Sequence, residues 1–345
     1  VALQPSDVWR APRLQVLANG TLLTGTTEAI VTSTGWFAAD TFRVRAALVG
    51  DAATWAATTS ITVDVQMALD PLSGFVSMVQ GGADSVILDP LTGVLTLEGR
   101  DRSAALIEAR TQETFANRTA SEIAGLLAAR HGLAADAQAT TTPVGRYWEL
   151  EHDSLTLDAF ARATTEWDLL VRLAGWEGFD VWVSGSTLHF RAPDTSTPPT
   201  VLRAGAMVDG LPDVTALRLE RALSFAGDVA VTVKSWHSRL GSGCVQTAAT
   251  SRGASQCRSY VFVAPNLTPD AAMKLAQAKL AETTAHEMTM ACDMPGELSL
   301  SPRGAVRLAG TGTVFDRVYR VDEVERQMSV RRGFSQHVRA RAASS

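Results

Sequence analysis

Cysteine and lysine are both scarce in this chain of 345 residues. The three cysteines, Cys244, Cys257 and Cys292, are too few for a disulfide framework and lack metal-site spacing. Of 31 basic residues only Lys234, Lys274 and Lys279 are lysines, leaving 28 arginines; beside abundant Ala and Gly, this bias reads as genomic base composition more than function. No run approaches 18 apolar residues, which excludes a membrane-spanning helix. Val1 to Trp9 show no charged segment ahead of an apolar one, so no signal peptide is expected. The chain opens on Val1 rather than methionine, which points to trimming or to a start lying before Val1. Without a secretory signal, the glycosylation patterns at Asn19, Asn117 and Asn266 are read as chance. The formal charge of -5 argues against a polyanion-binding surface over the whole molecule.

Catalytic motifs are missing as well. His286-Glu287 opens like a zinc-protease helix, but position 290 is Met, so a second imidazole cannot converge on a metal. Gly310-Thr311-Gly312 lacks the third glycine and the following helix of a phosphate loop, and a hairpin turn is expected there. There is no Gly-x-Ser-x-Gly elbow and no lysine-bearing P-loop. The six histidines, at 131, 152, 189, 237, 286 and 337, are scattered. Glu149/Glu151 and Glu323/Glu325 fall in same-face pairs along strand-like segments and read as solvated strand edges; nothing in the sequence favours the two carboxyls across a cleft that a glycosidase needs.

What is present is a globular composition, 46% hydrophobic and 19% charged, long enough for two or three domains. The first hundred residues alternate with period 2. Leu14 and Val16 lead into Asn19-Gly20, a two-residue hairpin signal. Phe42, Val44, Ala46 and Leu48 oppose Arg43 and Arg45, and Ile61, Val63, Val65 and Met67 alternate with polar residues, as half-buried antiparallel strands do. Val86 and Leu88, a turn at 89–93, then Leu95 and Leu97 complete the spacing of a small barrel or sandwich.

The period then lengthens to 3.6. Asp101 is placed to cap a short helix carrying Leu106 and Ile107, and Thr119-Ala120-Ser121-Glu122 is a capping box ahead of Ile123, Leu126 and Leu127, with Gly132 as the stop. A longer helix is expected from about 155 to 175, breaking near Thr164-Thr165, then a hairpin around Ser184-Gly185-Ser186. Residues 193–200 (PDTSTPPT) read as a linker. Strands return at Leu217/Leu219 and Val229/Val231/Val233, followed by a polar loop at 239–258 holding two cysteines. Thr268-Pro269-Asp270 opens a helix to about 286. Val306/Leu308 and Tyr319/Val321 resume the alternation, with a bulge expected near Glu323. No residue-level repeat between the two β regions is visible. Three readings of Cys244 and Cys257 stay open: free thiols, a disulfide closing the loop, or links between subunits. A bridge of that span would contribute about 3 kcal/mol. Cys292, between Met290 and Met294, reads as a buried apolar residue. From Arg317 onward seven arginines face three acids, a local +4; an alternating strand with a solvated arginine face is preferred over an acidic docking partner.

One ordered set of segments resembles a known family. Leu97-Glu98-Gly99-Arg100-Asp101-Arg102-Ser103-Ala104-Ala105-Leu106-Ile107-Glu108-Ala109-Arg110, then Phe115-Ala116-Asn117-Arg118-Thr119-Ala120-Ser121-Glu122-Ile123-Ala124, resembles the phage late control D family, the baseplate hubs of contractile tails, related to the N-terminal part of type VI secretion spike proteins. Thr165-Glu166-Trp167-Asp168-Leu169-Leu170 with Glu177-Gly178-Phe179-Asp180, Val233-Lys234-Ser235-Trp236, Tyr260-Val261-Phe262-Val263, and Tyr319 to Arg326 before Gly333-Phe334 agree in order. The likeness spans about residues 10–342; the cysteine-containing loop matches no family motif.

The resemblance implies an α+β, mainly β chain with two tail-tube-like β-barrels separated by an α/β insert: 1–100, 101–200 and 201–345. It implies a non-enzymatic homotrimer whose six barrels imitate a sixfold ring. The implied partners are a tail tube protein or tube-end adaptor, a central spike protein and baseplate wedge proteins, in a virion assembled in the host cytoplasm, with genome DNA passing the channel unbound and no membrane. No catalytic residue, cofactor or metal is expected, and Cys244 with Cys257 is the one candidate disulfide. Segments 42–48, 60–67, 229–236 and 318–326 are the expected ring-forming strands. The alternatives are a hub of a type VI secretion system or tailocin, then a tail-associated peptidoglycan hydrolase, and last a generic carbohydrate-binding β module.

Overall fold

The computed structural model describes residues 10–343, except 51, 112–114, 116–117, 142, 145–164, 206–212, 238–240, 254–256 and 265–266. The first β region comprises β1 (Arg13–Ala18), β2 (Thr21–Leu22), β3 (Thr26–Thr34), β4 (Thr41–Ala47), α1 (Ala52–Ala57), β5 (Thr62–Ala68), β6 (Val76–Asp89) and β7 (Val94–Asp101). The middle comprises α2 (Ser103–Glu108), β8 (Arg118–Thr119), α3 (Ala120–Arg130), β9 (Ala134–Ala137), β10 (Pro143–Val144), α4 (Glu166–Glu177), β11 (Asp180–Ser184) and β12 (Thr187–Arg191). The last part comprises β13 (Thr200–Arg203), β14 (Ala216–Arg221), β15 (Asp228–His237), β16 (Ser242–Ala249), β17 (Cys257–Val263), α5 (Pro269–Ala285), β18 (Met288–Pro295), β19 (Ala305–Ala309), β20 (Val318–Ser329) and β21 (Gly333–Ala342).

The alternating segments form strands in the expected phase. In β4, Phe42, Val44 and Ala46 are buried while Arg43 and Arg45 are exposed. Asn19 (φ 49°) and Gly20 (φ 76°) supply the two positive φ values of a tight hairpin turn. Asp101 accepts from the Ser103 N–H at 3.0 Å, capping α2 from just before its start. Thr119 and Glu122 form the reciprocal capping box of α3, and Gly132 (φ 66°) follows its end. Thr268 caps α5, with Pro269 at its first position.

Four cores result. One joins β1, β3–β7 and Met328. The insert core packs α3 and α4 on β11 and β12, with Ile123, Leu127, Leu170, Leu173 and Phe190 fully buried. A third joins β18–β21 with Leu202. The fourth is small: Val233 with Ala272 and Ala276 of α5, under the three-stranded sheet β16-β15-β17.

Two expectations are corrected here. Segment 229–236 does not enter the large sheet; β15 is the central strand of the separate three-stranded one. The expected loop at 239–258 is in part a strand, because β16 pairs in register with β15, Lys234 opposite Val245 and Ser235 opposite Cys244. Its Thr, Ser and Gly content reads as loop in sequence, yet partly covered Cys244, Gln246 and Ala248 alternate with exposed Gly243, Val245 and Thr247. Thr165 caps α4, whereas the first half of the helix expected from 155, and Glu149, Glu151 and His152, lie outside the described residues.

Candidate assembly surfaces

Thirteen strands from both β regions form one sheet, whose main path runs β14-β18-β21-β20-β3-β4-β7-β6-β5-β1-β2, with β13 and β19 branching beside β20. The two β regions are joined through β20. Its start, Val318–Arg320, pairs with β19. After the irregularity between Val321 and Glu323, the remainder pairs with β3, from Glu323 opposite Thr34 to Ser329 opposite Glu28. The bulge falls where expected: by bending β20 at Asp322 it lets one strand serve two neighbours on the same side. The joint is closely covered, with Ala29, Val31 and Val324 fully buried and Met328 nearly so.

The two halves of this sheet repeat each other. The order β3-β4-β7-β6-β5-β1 is matched by β14-β18-β21-β20-β19-β13. Each half centres on a long hairpin, β6–β7 or β20–β21, with one irregularity, between Ala83 and Ser85 or between Val321 and Glu323. Both skipped residues are aspartates. Asp84 pairs with Arg100 at 2.7 Å and Asp322 with Arg341 at 3.4 Å, and in both hairpins the arginine faces the residue two before the bulge. The last pair breaks the match, since β1–β5 is antiparallel and β13–β19 parallel.

A charged seam lies beneath the joint. Arg326 is buried, donating to the carbonyls of Glu297 and Leu300, and burial pulls its pKa down to about 10. Burial raises Asp40, although it accepts the Thr34 N–H at 2.8 Å. Burial lifts Asp101 to about 7; Ser103 opposes this and the Asp40 charge adds to it. Burial likewise pushes Asp322 up to about 6 against the pull of Arg341 and Arg320. The insert is clasped over this seam. Arg320 reaches Asp180 at 2.6 Å, and Trp167 donates to the Phe37 carbonyl at 2.8 Å. Arg303, with φ 70°, lies 4.9 Å above the Trp182 ring and donates to the Thr34 carbonyl. A cleft of about 810 Å³ opens here, lined by Asp40, Asp180, Trp182, His189, Arg303 and Arg326. Its histidine is engaged, stacked on Trp182 at 4.6 Å and bonded to Asp136.

The expected ring strands divide accordingly. Segments 42–48, 60–67 and 318–326 lie inside the sheet with neighbours on both sides. Free edges lie elsewhere: at β14, at β2 and β13, each paired on one side only, and along Asp84–Asp89 of β6, where β7 pairs on one side and β5 pairs only residues 76–82 on the other. Sequence reading registered Leu217/Leu219 and Val86/Leu88 as strands but could not show that they are edges. The available signal was the pair of hairpins with Asp before Ser85-Val86 and before Glu323-Val324. The three-stranded sheet turns a further apolar face outward, with Trp236, Val245, Val261 and Val263 all more than half exposed.

Cys244 and Cys257 are free thiols. They sit on opposite flanks of β15, opposite Ser235 and Asp228, two strand spacings apart and seven residues apart in register, about 23 Å along the strand. A disulfide needs Cα atoms within about 7 Å, so the loop-closing bridge does not form within this chain. Cys292 is buried, and burial raises its thiol to about 12. His286 is the C-cap of α5 and Met290 lies on β18, so the zinc-helix geometry does not arise. Glu287 instead pairs with Arg221 and Arg252. Among the described residues no three metal-ligating side chains cluster. In the C-terminal hairpin Arg339 and Arg341 pair with Glu323 and Asp322 along the strands.

No protein-family model and no curated protein matches the chain. Solved structures do. A tail protein from Neisseria meningitidis MC58 superposes with a TM-score of 0.74 at 17% identity, over 96% of each chain. The 43 kDa tail protein of prophage MuSo2 from Shewanella oneidensis gives 0.72 at 14% identity, over 96% of this chain and 98% of that one. The E. coli c3393 protein, a component of the type VI secretion system similar to the T4 tail proteins gp27 and gp5, gives 0.53 at 11% identity, over 96% and 77%. The chain thus has the fold of phage tail proteins, mainly β and shared with a secretion-system component, as the sequence resemblance implied.

Proposed function

We propose that this chain is the structural hub of a contractile-tail baseplate. The repeat of one strand order within a single sheet supports this most directly. Two similar modules per chain let three copies present six near-equivalent units, which adapts a threefold spike to a sixfold tube. In this reading residues 1–100 and 201–345 supply the modules, the insert at 101–200 braces them, and β15–β17 with α5 form an outer appendage. The partners are a tube protein or tube-end adaptor on one side, a trimeric spike on the other and wedge proteins around the rim, within the virion. The genome passes the channel without being held by it, and the hub performs no reaction.

A hub of a secretion system or tailocin is the second reading, favoured by the c3393 likeness. Mass in solution with negative-stain imaging tests both: a threefold ring with a central opening is expected, and a stable two-fold dimer refutes them. Lysis of cell walls by the purified protein in a zymogram would refute the non-enzymatic part.

A further inference from the structure

We infer that the copies join by β14 of one chain pairing antiparallel with residues 85–89 of β6 in the next, repeating between chains the β3–β20 joint present within one. This rests on the trimeric hub reading and adds the strands and register. In the internal equivalence β3 corresponds to β14 and β20 to β6. The chain shows what occupies the second half of β20, namely β3. It shows nothing paired, among the described residues, with the corresponding half of β6 or with the outer edge of β14.

Register follows from the ladders. Across β4 and β18, Val31 corresponds to Leu219 and Thr32 to Glu220. Across the two bulges, Arg326 corresponds to Leu88 and Glu325 to Ile87. Val31 faces Arg326 and Thr32 faces Glu325 in the internal joint. Leu219 therefore faces Leu88 of the next copy, Glu220 faces Ile87, and Arg218 faces Asp89.

The burial pattern agrees. At the internal joint the core-side residues Ala29, Val31 and Val324 are fully buried. At these two edges the core-side residues, Leu217 and Leu219 on β14 and Val86 and Leu88 on β6, are only half-buried, though each packs against its own core. Pairing would complete that cover and satisfy the open backbone groups. Because the two edges differ, the contact is head to tail and closes only as a ring.

The test is disulfide trapping in the full chain with Cys257→Ser. Glu220→Cys with Ile87→Cys places thiols on a directly opposed, solvent-facing pair. Ala216→Cys with Ile87→Cys places them four residues out of register, about 13 Å off. Mild oxidation should give a covalent trimer as the largest species, about tenfold above the shifted pair. Sedimentation is measured alongside, and Leu219→Asp should abolish both the trimer and the cross-link. A trimer that does not cross-link in register, or cross-links equally in the shifted pair, overturns the joint and leaves the trimeric hub standing. A protein that stays monomeric and uncross-linked at the highest concentration reached overturns both.

Discussion

Ionisation of Asp101 should lower the stability of this fold as pH rises to neutrality. Its carboxyl is buried at the start of the insert, beside Asp40, with Ser103 as its hydrogen-bond partner. Burial raises its pKa to about 7 from 3.8. The unfolded chain therefore releases this proton at lower pH than the folded one. Between those values the native state binds more protons, so this group's contribution is fully present below about pH 4, is lost as pH rises through about 7, and is gone above it. From pH 5 to pH 8 this one group removes about 2–3 kcal/mol by linkage, at 1.36 kcal/mol per pKa unit. Asp322, raised to about 6, contributes in the same direction over a lower window. Asp101→Asn keeps the acceptor for Ser103 and cannot ionise. Thermal unfolding followed by near-UV circular dichroism at pH 5, 6, 7 and 8 and constant ionic strength should show the decline in the native protein and a flatter profile in the variant. Equal slopes would refute the assignment of the proton to Asp101.

Gly99→Ala should unfold or severely destabilise the first β region, by about 3 kcal/mol or more, because a Cβ there would sit 2.1 Å from the Gly82 carbonyl and 2.6 Å from Phe42 Cζ; soluble yield and melting temperature read it. Thr119→Ala removes the capping box of α3 and should cost about 1 kcal/mol, measured by denaturant titration. Alkylation of the native protein followed by mass spectrometry should label Cys257 readily and leave Cys292 unlabelled until unfolding; finding Cys244 and Cys257 joined within one chain would contradict the sheet geometry. Trp167→Phe should loosen the insert from the loop it grips through the Phe37 carbonyl, by about 1 kcal/mol, seen as earlier proteolysis.

Local rules decided most of the elements. Period-2 alternation produced β4 and β5 with the buried faces expected, since only one phase of a half-buried strand places Val44 and Val65 inside. Caps and turns did the same at Thr119, Thr268 and Asn19-Gly20, because the hydrogen bonds and positive φ values they supply are satisfied within a few residues. Even the bulge near Glu323 announced itself, as a break in alternation.

Which strands meet was not decided there. Nothing local shows that β15 leaves the large sheet while β20 holds it together: both alternate, and the break near Glu323 marks a bulge without naming the strands it serves. The polar composition of β16 concealed a strand whose partner made it one. The repeat of the two halves, with Asp84 and Asp322 at matching bulges, appears only once the hairpins are paired, because it lies in strand order and bulge position and not in the run of side chains. Leu219 and Leu88 read as ordinary strand residues in sequence. Tertiary structure alone left each half-covered at an open edge, because burial on the core side is completed by a strand on each flank and, among the described residues, each has one on one flank only.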